Sequence, residues 1–263
     1  MKRLHRPKPN SHKIAGHPLA KKVLDDLRPW LESKASETNA ESAQLSGCVG
    51  YADNVFGHTA AIQSAIENLE RSQYFIESFP QPRRNVKRGV RQHDWIEYHY
   101  SHYLITLVSL LDISLRLTNV VFCLGNRERD CKFELVTKNS WVARTPVAGA
   151  LGEIKKLIYS HKEGRNNFVH CGQIPKIASM MKSEYLNNLD RFSFIEMCGE
   201  PVVDKKTLEL AYKGQVKKIS AKLKNETDSI FDAVWKLFNK LEPIYERNAN
   251  TLKALPEAKG SLI

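Results

Sequence analysis

Three polar side chains with complementary chemistry, Arg165, Asn166 and His170, form an R-N-x-x-x-H motif in one short segment of the chain. Arginine carries a permanent positive charge on a planar guanidinium that matches the geometry of a phosphate group. Histidine can give and take a proton near neutral pH, and asparagine adds a neutral donor and a neutral acceptor. Together these residues could hold a phosphodiester and move a proton on or off an adjacent hydroxyl.

The same motif also has a structural interpretation. Arg165 and His170 lie near the C-terminus of a predicted helix, where cations offset the negative end of the helix dipole, and Gly172 is typical of a residue that closes a helix. Five residues on an ideal helix separate two side-chain directions by about 140°. The two side chains therefore converge only if Arg165 uses its length or if the helix loosens at Gly164.

The helix that carries the motif is predicted over 147–171. Thr145 and Pro146 precede it, as an N-cap residue followed by a proline whose backbone suits the first helical position. Apolar residues then recur on one face of the helix, at Val147, Leu151, Ile154, Leu157 and Ile158. This spacing predicts a helix that packs on a core along one side and delivers the motif at its end.

A second long helix is predicted over 94–124, with Asp94 as its N-cap and Glu97 completing a capping box. Its apolar part is long enough to suggest a membrane span, but Asp112 and Arg116 lie inside that part and are costly in lipid. The two residues are four apart and can pair across one helical turn, so a buried bundle helix is the better prediction. Asp112 is then either a paired structural acid or a group that supports the motif.

Three histidines near the start of this helix raise the question of a metal site. His99 and His102 are three residues apart on one helical face, and Glu97 and His93 are close to them in sequence. No matching pair of metal ligands occurs elsewhere in the sequence, and a single pair is a weak signal. We therefore expect a polar patch in which the side chains satisfy one another, with Glu97 and His99 as supporting residues and no bound metal.

The motif and the central helix resemble the HEPN superfamily. The resemblance rests on the R-N-x-x-x-H motif late in a helix, on Gly172 after it, and on the stretch 94–105 with the long helix that follows. It covers roughly residues 55–175. HEPN domains are all-α, and many are metal-independent ribonucleases of toxin–antitoxin, phage-defence and RNA-processing systems.

The resemblance implies catalytic roles for the three residues of the motif. His170 would act as general acid or base on the RNA 2′-hydroxyl or on the leaving oxygen, and Arg165 would stabilise charge in the transition state, with Asn166 beside them. Such proteins pair two motifs across the cleft of a homodimer. Other HEPN relatives are non-catalytic modules that bind RNA or a protein, and this alternative stays open.

The charge of the chain agrees with a polyanionic partner. Its formal net charge is +11, and basic charge of this size favours polyanions because binding releases counterions from phosphate. Residues 1–34 carry a net charge of +6. Two further basic groups are predicted to bind nucleic acid: Arg83, Arg84, Lys87, Arg88 and Arg91 in a linker, and Lys206, Lys213, Lys217 and Lys224 along one helical face. An ordinary solvated basic surface is the alternative.

The predicted fold is an all-α, up-and-down helical bundle of HEPN type with an N-terminal helical extension. The four bundle helices are expected over 54–78, 94–124, 147–171 and 204–247. A helix over about 18–34 forms the extension, and a further helix is expected over 176–190. The segment 126–146 is predicted to be a charged loop, with a possible short turn over 127–130.

Three regions and a cellular context follow from the same patterns. The predicted regions are a basic, partly disordered extension over 1–50, the bundle over 51–250 and a flexible tail over 251–263. A basic, proline-rich start does not have the pattern of a secretion signal, and five scattered cysteines indicate reduced thiols. We expect a cytoplasmic protein that binds RNA, forms a homodimer and has an antitoxin or nucleotidyltransferase-type protein as a further partner. Neither a cofactor nor a membrane is expected.

Overall fold

The computed structural model describes residues 9–35, 47–78, 92–171, 196–197, 200–201 and 205–255, and these are almost entirely helical. Within them the helices are α1 (Asn10–Ala15), α2 (Pro18–Ala35), α3 (Gly47–Glu77), α4 (Gln92–Val121), a 3-10 helix (Glu128–Asp130), α5 (Phe133–Thr137), α6 (Ser140–Ala143), α7 (Val147–Cys171) and α8 (Lys205–Ala254). Two short strands, β1 (Glu196–Met197) and β2 (Glu200–Pro201), pair antiparallel. The predicted all-α bundle class is confirmed.

The four long helices follow the apolar periodicity of the sequence. α7 has the predicted bounds, and the amide of Val147 donates to the hydroxyl of Thr145 over 3.3 Å, as the predicted N-cap requires. α3 begins seven residues earlier than expected because Tyr51 and Ala52 are buried and extend the apolar face. α8 continues to Ala254, so the first residues of the predicted tail are helical.

The prediction of a loop over 126–146 is wrong in part. The 3-10 helix lies where the short turn over 127–130 is predicted, but the segment also contains the helices α5 and α6. Val136 and Val142 are completely buried and anchor the two short helices to the core. Asn139 caps α6, since its side-chain oxygen accepts the amide of Trp141 over 3.0 Å.

The chain forms two compact units. Unit 1 comprises Met1–Glu67, Ser109–Lys156 and Ile230–Ile263, and unit 2 comprises Asn68–Val108 and Leu157–Ser229. Each of the four long helices supplies residues to both units. The segments 79–91, 172–195 and 256–263 lie outside the described residues. The predicted helix over 176–190 falls in the second of them.

In unit 1 the N-terminal helices pack against the last part of α8. The His17 side chain is completely buried, contacts the ring of Trp235 edge-on and lies 2.9 Å from Asn239 Oδ1. The Asp26 carboxylate accepts a hydrogen bond from the Tyr245 hydroxyl over 2.7 Å. These contacts fix α2 to α8 at two separate points.

In unit 2 the end of α3 and the start of α4 pack against the first part of α8. The Tyr103 ring is completely buried, and its hydroxyl lies 3.2 Å from both the Leu223 carbonyl and the Thr227 hydroxyl. Ser220 on α8 forms hydrogen bonds with Glu77 and Gln73 on α3. The predicted apolar stripe of α8 supplies much of this core, at Tyr212, Ile219 and Leu223.

Helix α4 is long and apolar enough to cross a membrane by length and composition, but 56% of its most apolar window is buried inside the structure. Burial of this extent is typical of a core helix in a helical bundle. The predicted pair of Asp112 with Arg116 is wrong. The Arg116 guanidinium instead lies 3.2 Å from the Glu128 carboxylate, because the 3-10 helix brings Glu128 to α4, while Asp112 is exposed.

Candidate functional site

The R-N-x-x-x-H motif occupies the last two turns of α7. The helix runs without interruption through Gly164 to Cys171, and His170 lies in its last turn. Arg165 and Asn166 are half-buried, whereas His170 is exposed. Gly172, the predicted closing residue, lies outside the described residues.

The Arg165 and His170 side chains leave α7 in different directions. Because α7 is continuous, the five residues between Arg165 and His170 turn the side-chain direction by about 140°. Neither side chain forms a hydrogen bond or an ion pair with any residue that the structure describes. Their positions near the C-terminus of α7 also suit the helix dipole.

A second polar group lies on the Arg165 face of α7, and sequence reasoning missed it. His161 precedes Arg165 by four residues, which is about 40° around the helix. Its Nε2 lies 3.5 Å from Glu226 Oε1 on α8, and the Lys222 ammonium lies 3.7 Å from the same oxygen. The other oxygen, Glu226 Oε2, is buried and has no hydrogen-bond partner among the described residues.

The Glu226 carboxylate affects the pKa of a neighbouring tyrosine in unit 2. Burial and the nearby Glu226 carboxylate raise the pKa of Tyr100 to about 12, so its hydroxyl stays protonated at neutral pH. The signal that could have found the group is the four-residue spacing of His161 and Arg165, which puts both side chains on one helical face. Glu226 could not be assigned from its sequence position, since its partner lies far away in the chain.

The predicted capping box at the start of α4 is wrong. The helix begins at Gln92, so Asp94 lies inside the first turn and does not cap it. Glu97 Oε1 lies 2.8 Å from Nε2 of His93, a residue that is only 2% exposed. The acid therefore supports His93, one helical turn earlier, by a hydrogen-bonded contact.

His99, the other predicted supporting residue, belongs to an aromatic cluster. Its ring stacks on Phe75 at 4.8 Å and meets the ring of Trp95 at 4.4 Å. Burial lowers the pKa of His99, and its Nε2 is buried without a hydrogen-bond partner among the described residues. His102 instead contacts the Ser72 hydroxyl over 3.0 Å. Within the described part of the chain, no three His, Cys, Asp or Glu side chains are grouped as metal ligands.

The predicted basic residues fall into two classes. The linker arginines and lysine, Arg83, Arg84, Lys87, Arg88 and Arg91, lie outside the described residues. On α8, Lys213, Lys217 and Lys224 line one groove of unit 2, with a volume of about 640 Å³. Lys206 is exposed on the same helix. Asp112, the remaining supporting candidate, lies on α4 in unit 1.

Comparison with known proteins gives one match. A family model described as HEPN_Cthe2314-like HEPN matches residues 58–242, which is more than half of the chain and includes the R-N-x-x-x-H motif. No curated protein and no solved structure matches the chain significantly.

Proposed function

We propose that this chain, which belongs to the HEPN_Cthe2314-like family of HEPN domains, is a metal-independent RNA endonuclease that acts through Arg165 and His170. One observation carries the proposal. The R-N-x-x-x-H motif lies inside the family match, at the end of a helix, with side chains that no described residue engages. A phosphate and a hydroxyl of RNA are the ligands that this pair of side chains fits.

The proposed reaction is an attack by the RNA on its own backbone. The 2′-oxygen forms a bond to the adjacent phosphorus, the bond from phosphorus to the 5′-oxygen breaks, and a cyclic 2′,3′-phosphate and a 5′-hydroxyl result. One proton leaves the 2′-hydroxyl and one reaches the 5′-oxygen, and His170 serves as base or acid in one of these transfers. Arg165 offsets the charge on the phosphoryl oxygens, and Asn166 supplies a neutral hydrogen bond.

We further propose that two chains form the site together. Arg165 and His170 diverge on the continuous helix α7, so one chain does not bring both side chains to the same phosphate. A second copy of the motif would supply the missing contacts. A homodimer also doubles the local positive charge. Light scattering at tens of micromolar is expected to give twice the chain mass, and a monomeric mass at that concentration would count against the shared site.

The proposed biological role is that of a toxin or defence ribonuclease in the cytoplasm. An antitoxin or nucleotidyltransferase-type protein would then hold the activity in check. Co-purification with the products of neighbouring genes is the direct test of this role.

The proposed activity is tested with purified wild type, His170→Ala and Val169→Ala on an RNA of mixed sequence. His170→Ala is expected to lower the cleavage rate by ~10²–10⁴-fold, the usual contribution of a positioned acid or base. Val169 is exposed on the same turn and carries no chemistry, so Val169→Ala controls for disturbance of the helix end. Cleavage by the wild type is expected to persist in EDTA, to give cyclic phosphate ends and to spare DNA.

Two outcomes would contradict the assignment. Equal cleavage by wild type and His170→Ala would point to another site or to a contaminating nuclease. If wild type binds RNA but does not cleave it, the chain is a non-catalytic HEPN module that binds RNA or a protein. The divergence of Arg165 and His170 on α7 favours this second function when the chain is monomeric.

A further inference from the structure

The groove in unit 2 is built from the end of α3, Gln92 at the start of α4 and the first part of α8. Its volume is about 640 Å³, which is within the usual range for ligand sites. Lys213, Lys217 and Lys224 line it from α8, and all three are exposed. Spacings of four and seven residues place the three ammonium groups along one face of the helix, over about 16 Å of its axis.

The three lysines that line the groove leave their side chains exposed. Within the described residues none of the three forms an ion pair or a hydrogen bond. Lys222, which lies between them in sequence but does not line the groove, is paired with Glu226 at 3.7 Å. Glu77 and Glu209 also line the groove, so its three cations outnumber its two acids, and this excess of positive charge favours a polyanion.

The acids of the groove are already engaged within the protein. Glu77 accepts hydrogen bonds from the Ser220 hydroxyl and from the Gln73 amide, which lies 3.2 Å away. Glu209 also interacts with another group of the protein. Bonds of this kind hold a carboxylate in place and stabilise its charge, whereas the lysine ammonium groups are left to solvent. The three ammonium groups are therefore the groups of the groove that an incoming phosphate would contact.

We propose that this groove binds the phosphate backbone of single-stranded RNA and holds the strand whose cleavage is assigned to the motif in the same unit. The proposal rests on the proposed ribonuclease function for its choice of polyanion. Lysine is a flexible point charge that does not read bases, and the side chains lining the groove include no aromatic ring on which a base could stack. The groove therefore binds without regard to sequence and accepts single-stranded DNA as well as RNA.

The test measures binding separately from cleavage. The probe is a fluorescent single-stranded RNA with a 2′-methoxy group at every position, which cannot react through its 2′-oxygen. Its affinity is measured by anisotropy at several salt concentrations for wild type and for the triple variant Lys213→Ala, Lys217→Ala, Lys224→Ala. Each phosphate contact contributes about 0.7 to the salt slope for single strands, so the triple variant is expected to lose about 2 units of slope and about 100-fold in affinity at low salt.

A matched triple variant controls for the change in net charge. Lys156, Lys218 and Lys240 are exposed and do not line the groove, so their replacement by Ala removes the same charge elsewhere. This control is expected to keep the wild-type salt slope. Both triple variants should keep the wild-type melting temperature, since all six side chains are on the surface.

Each result separates the two proposals. If the groove variant keeps the wild-type salt slope, the proposal that the groove binds RNA is overturned, whether or not wild type cleaves ordinary RNA. Equal competition by polyglutamate at the same charge concentration would assign the groove to an acidic protein and also overturn the proposal. If wild type fails to cleave but the groove variant alone loses affinity, the groove is supported and the ribonuclease function is not.

Discussion

The two units differ in how completely their buried polar groups are hydrogen-bonded. In unit 1, the Asp26 side chain is only 13% exposed and accepts hydrogen bonds from both the Tyr245 hydroxyl at 2.7 Å and the Lys253 ammonium at 2.5 Å. In unit 2, four buried side-chain atoms have no hydrogen-bond partner among the described residues: His93 Nδ1, His99 Nε2, Gln215 Oε1 and Glu226 Oε2. No such atom occurs in the described part of unit 1.

Helix α8 shows the same contrast along its own length. In its unit 1 part, Lys236 pairs with Glu153 at 3.1 Å and Lys253 pairs with Asp26. In its unit 2 part, Lys222 pairs with Glu226 at 3.7 Å, whereas Lys213, Lys217 and Lys224 have no acid partner among the described residues. Unsatisfied polar groups cost stability and concentrate at functional sites. The motif and the groove both lie in the unit that holds these unsatisfied atoms.

The largest expected effect is on cleavage, and it tests whether unit 2 holds the reactive groups. Arg165→Ala is expected to lower the rate of RNA cleavage by about 10²–10³-fold, the usual cost of removing one group that stabilises transition-state charge. Arg165→Lys is expected to restore little, because an ammonium cannot form the two parallel hydrogen bonds of a guanidinium. Rates on a labelled RNA under single-turnover conditions check both variants.

Arg144 provides the control from unit 1. It is an exposed arginine, and no described residue pairs with it. Arg144→Ala is expected to keep the wild-type rate. A comparable loss in Arg144→Ala and Arg165→Ala would mean that general positive charge, and not unit 2, governs the reaction.

The next effect is on stability and tests the structural side of the comparison. Asp26→Ala leaves the Tyr245 hydroxyl, which is buried, without its acceptor and Lys253 without its partner. The expected loss in the free energy of unfolding is about 1–3 kcal/mol, the cost of an unsatisfied buried group. Urea unfolding followed by circular dichroism measures it.

Asp112→Ala is the matched control for this measurement. Asp112 is exposed on α4 and makes no ion pair with a described residue. Its replacement is expected to change the free energy of unfolding by less than about 0.5 kcal/mol. If both variants lose stability equally, the Asp26 cluster has no special role in unit 1.

The long helices could be predicted because each carries an apolar stripe over several turns. The residues of α8 that pack on the core, including Tyr212, Ile219 and Phe238, are spaced at helical intervals in the sequence. The short helices α5 and α6 could not be predicted this way. Each is held by one buried valine, and a single residue gives no period to detect.

The site was predictable only where its signal is local. Arg165 and His170 lie close together in one motif, and the accessible face of α8 follows from the spacing of its lysines. The contact of His161 with Glu226 joins residues on two distant helices, so no spacing could reveal it. The predicted partner of Arg116 was wrong for a similar reason, since Glu128 approaches through a turn that the sequence pattern does not show.

The smallest expected effect concerns His17, which fixes the start of α2 in unit 1. Its Nδ1 accepts the amide of Leu19 over 3.0 Å, so the ring caps the helix and Nδ1 carries no proton. The proton is on Nε2, which donates to Asn239 Oδ1 over 2.9 Å. Burial lowers the pKa of His17, and the Glu242 carboxylate opposes this shift only in part. The neutral ring is thus the form that the folded protein holds.

The sign of the pH effect follows from this lowered pKa. Above the unfolded-state pKa of about 6.5, His17 is neutral in both states and stability does not depend on its titration. As the pH falls below that value, the unfolded chain binds a proton that the folded chain does not bind, so the free energy of unfolding decreases, by at most about 1.4 kcal/mol per pH unit.

His17→Asn keeps a capping side chain but does not titrate. It is expected to flatten the decrease, measured by urea unfolding between about pH 7.5 and 5, whereas His12→Asn, at an exposed position, keeps the wild-type curve. Parallel curves for wild type and His17→Asn would mean that protonation of this ring does not limit the stability of unit 1.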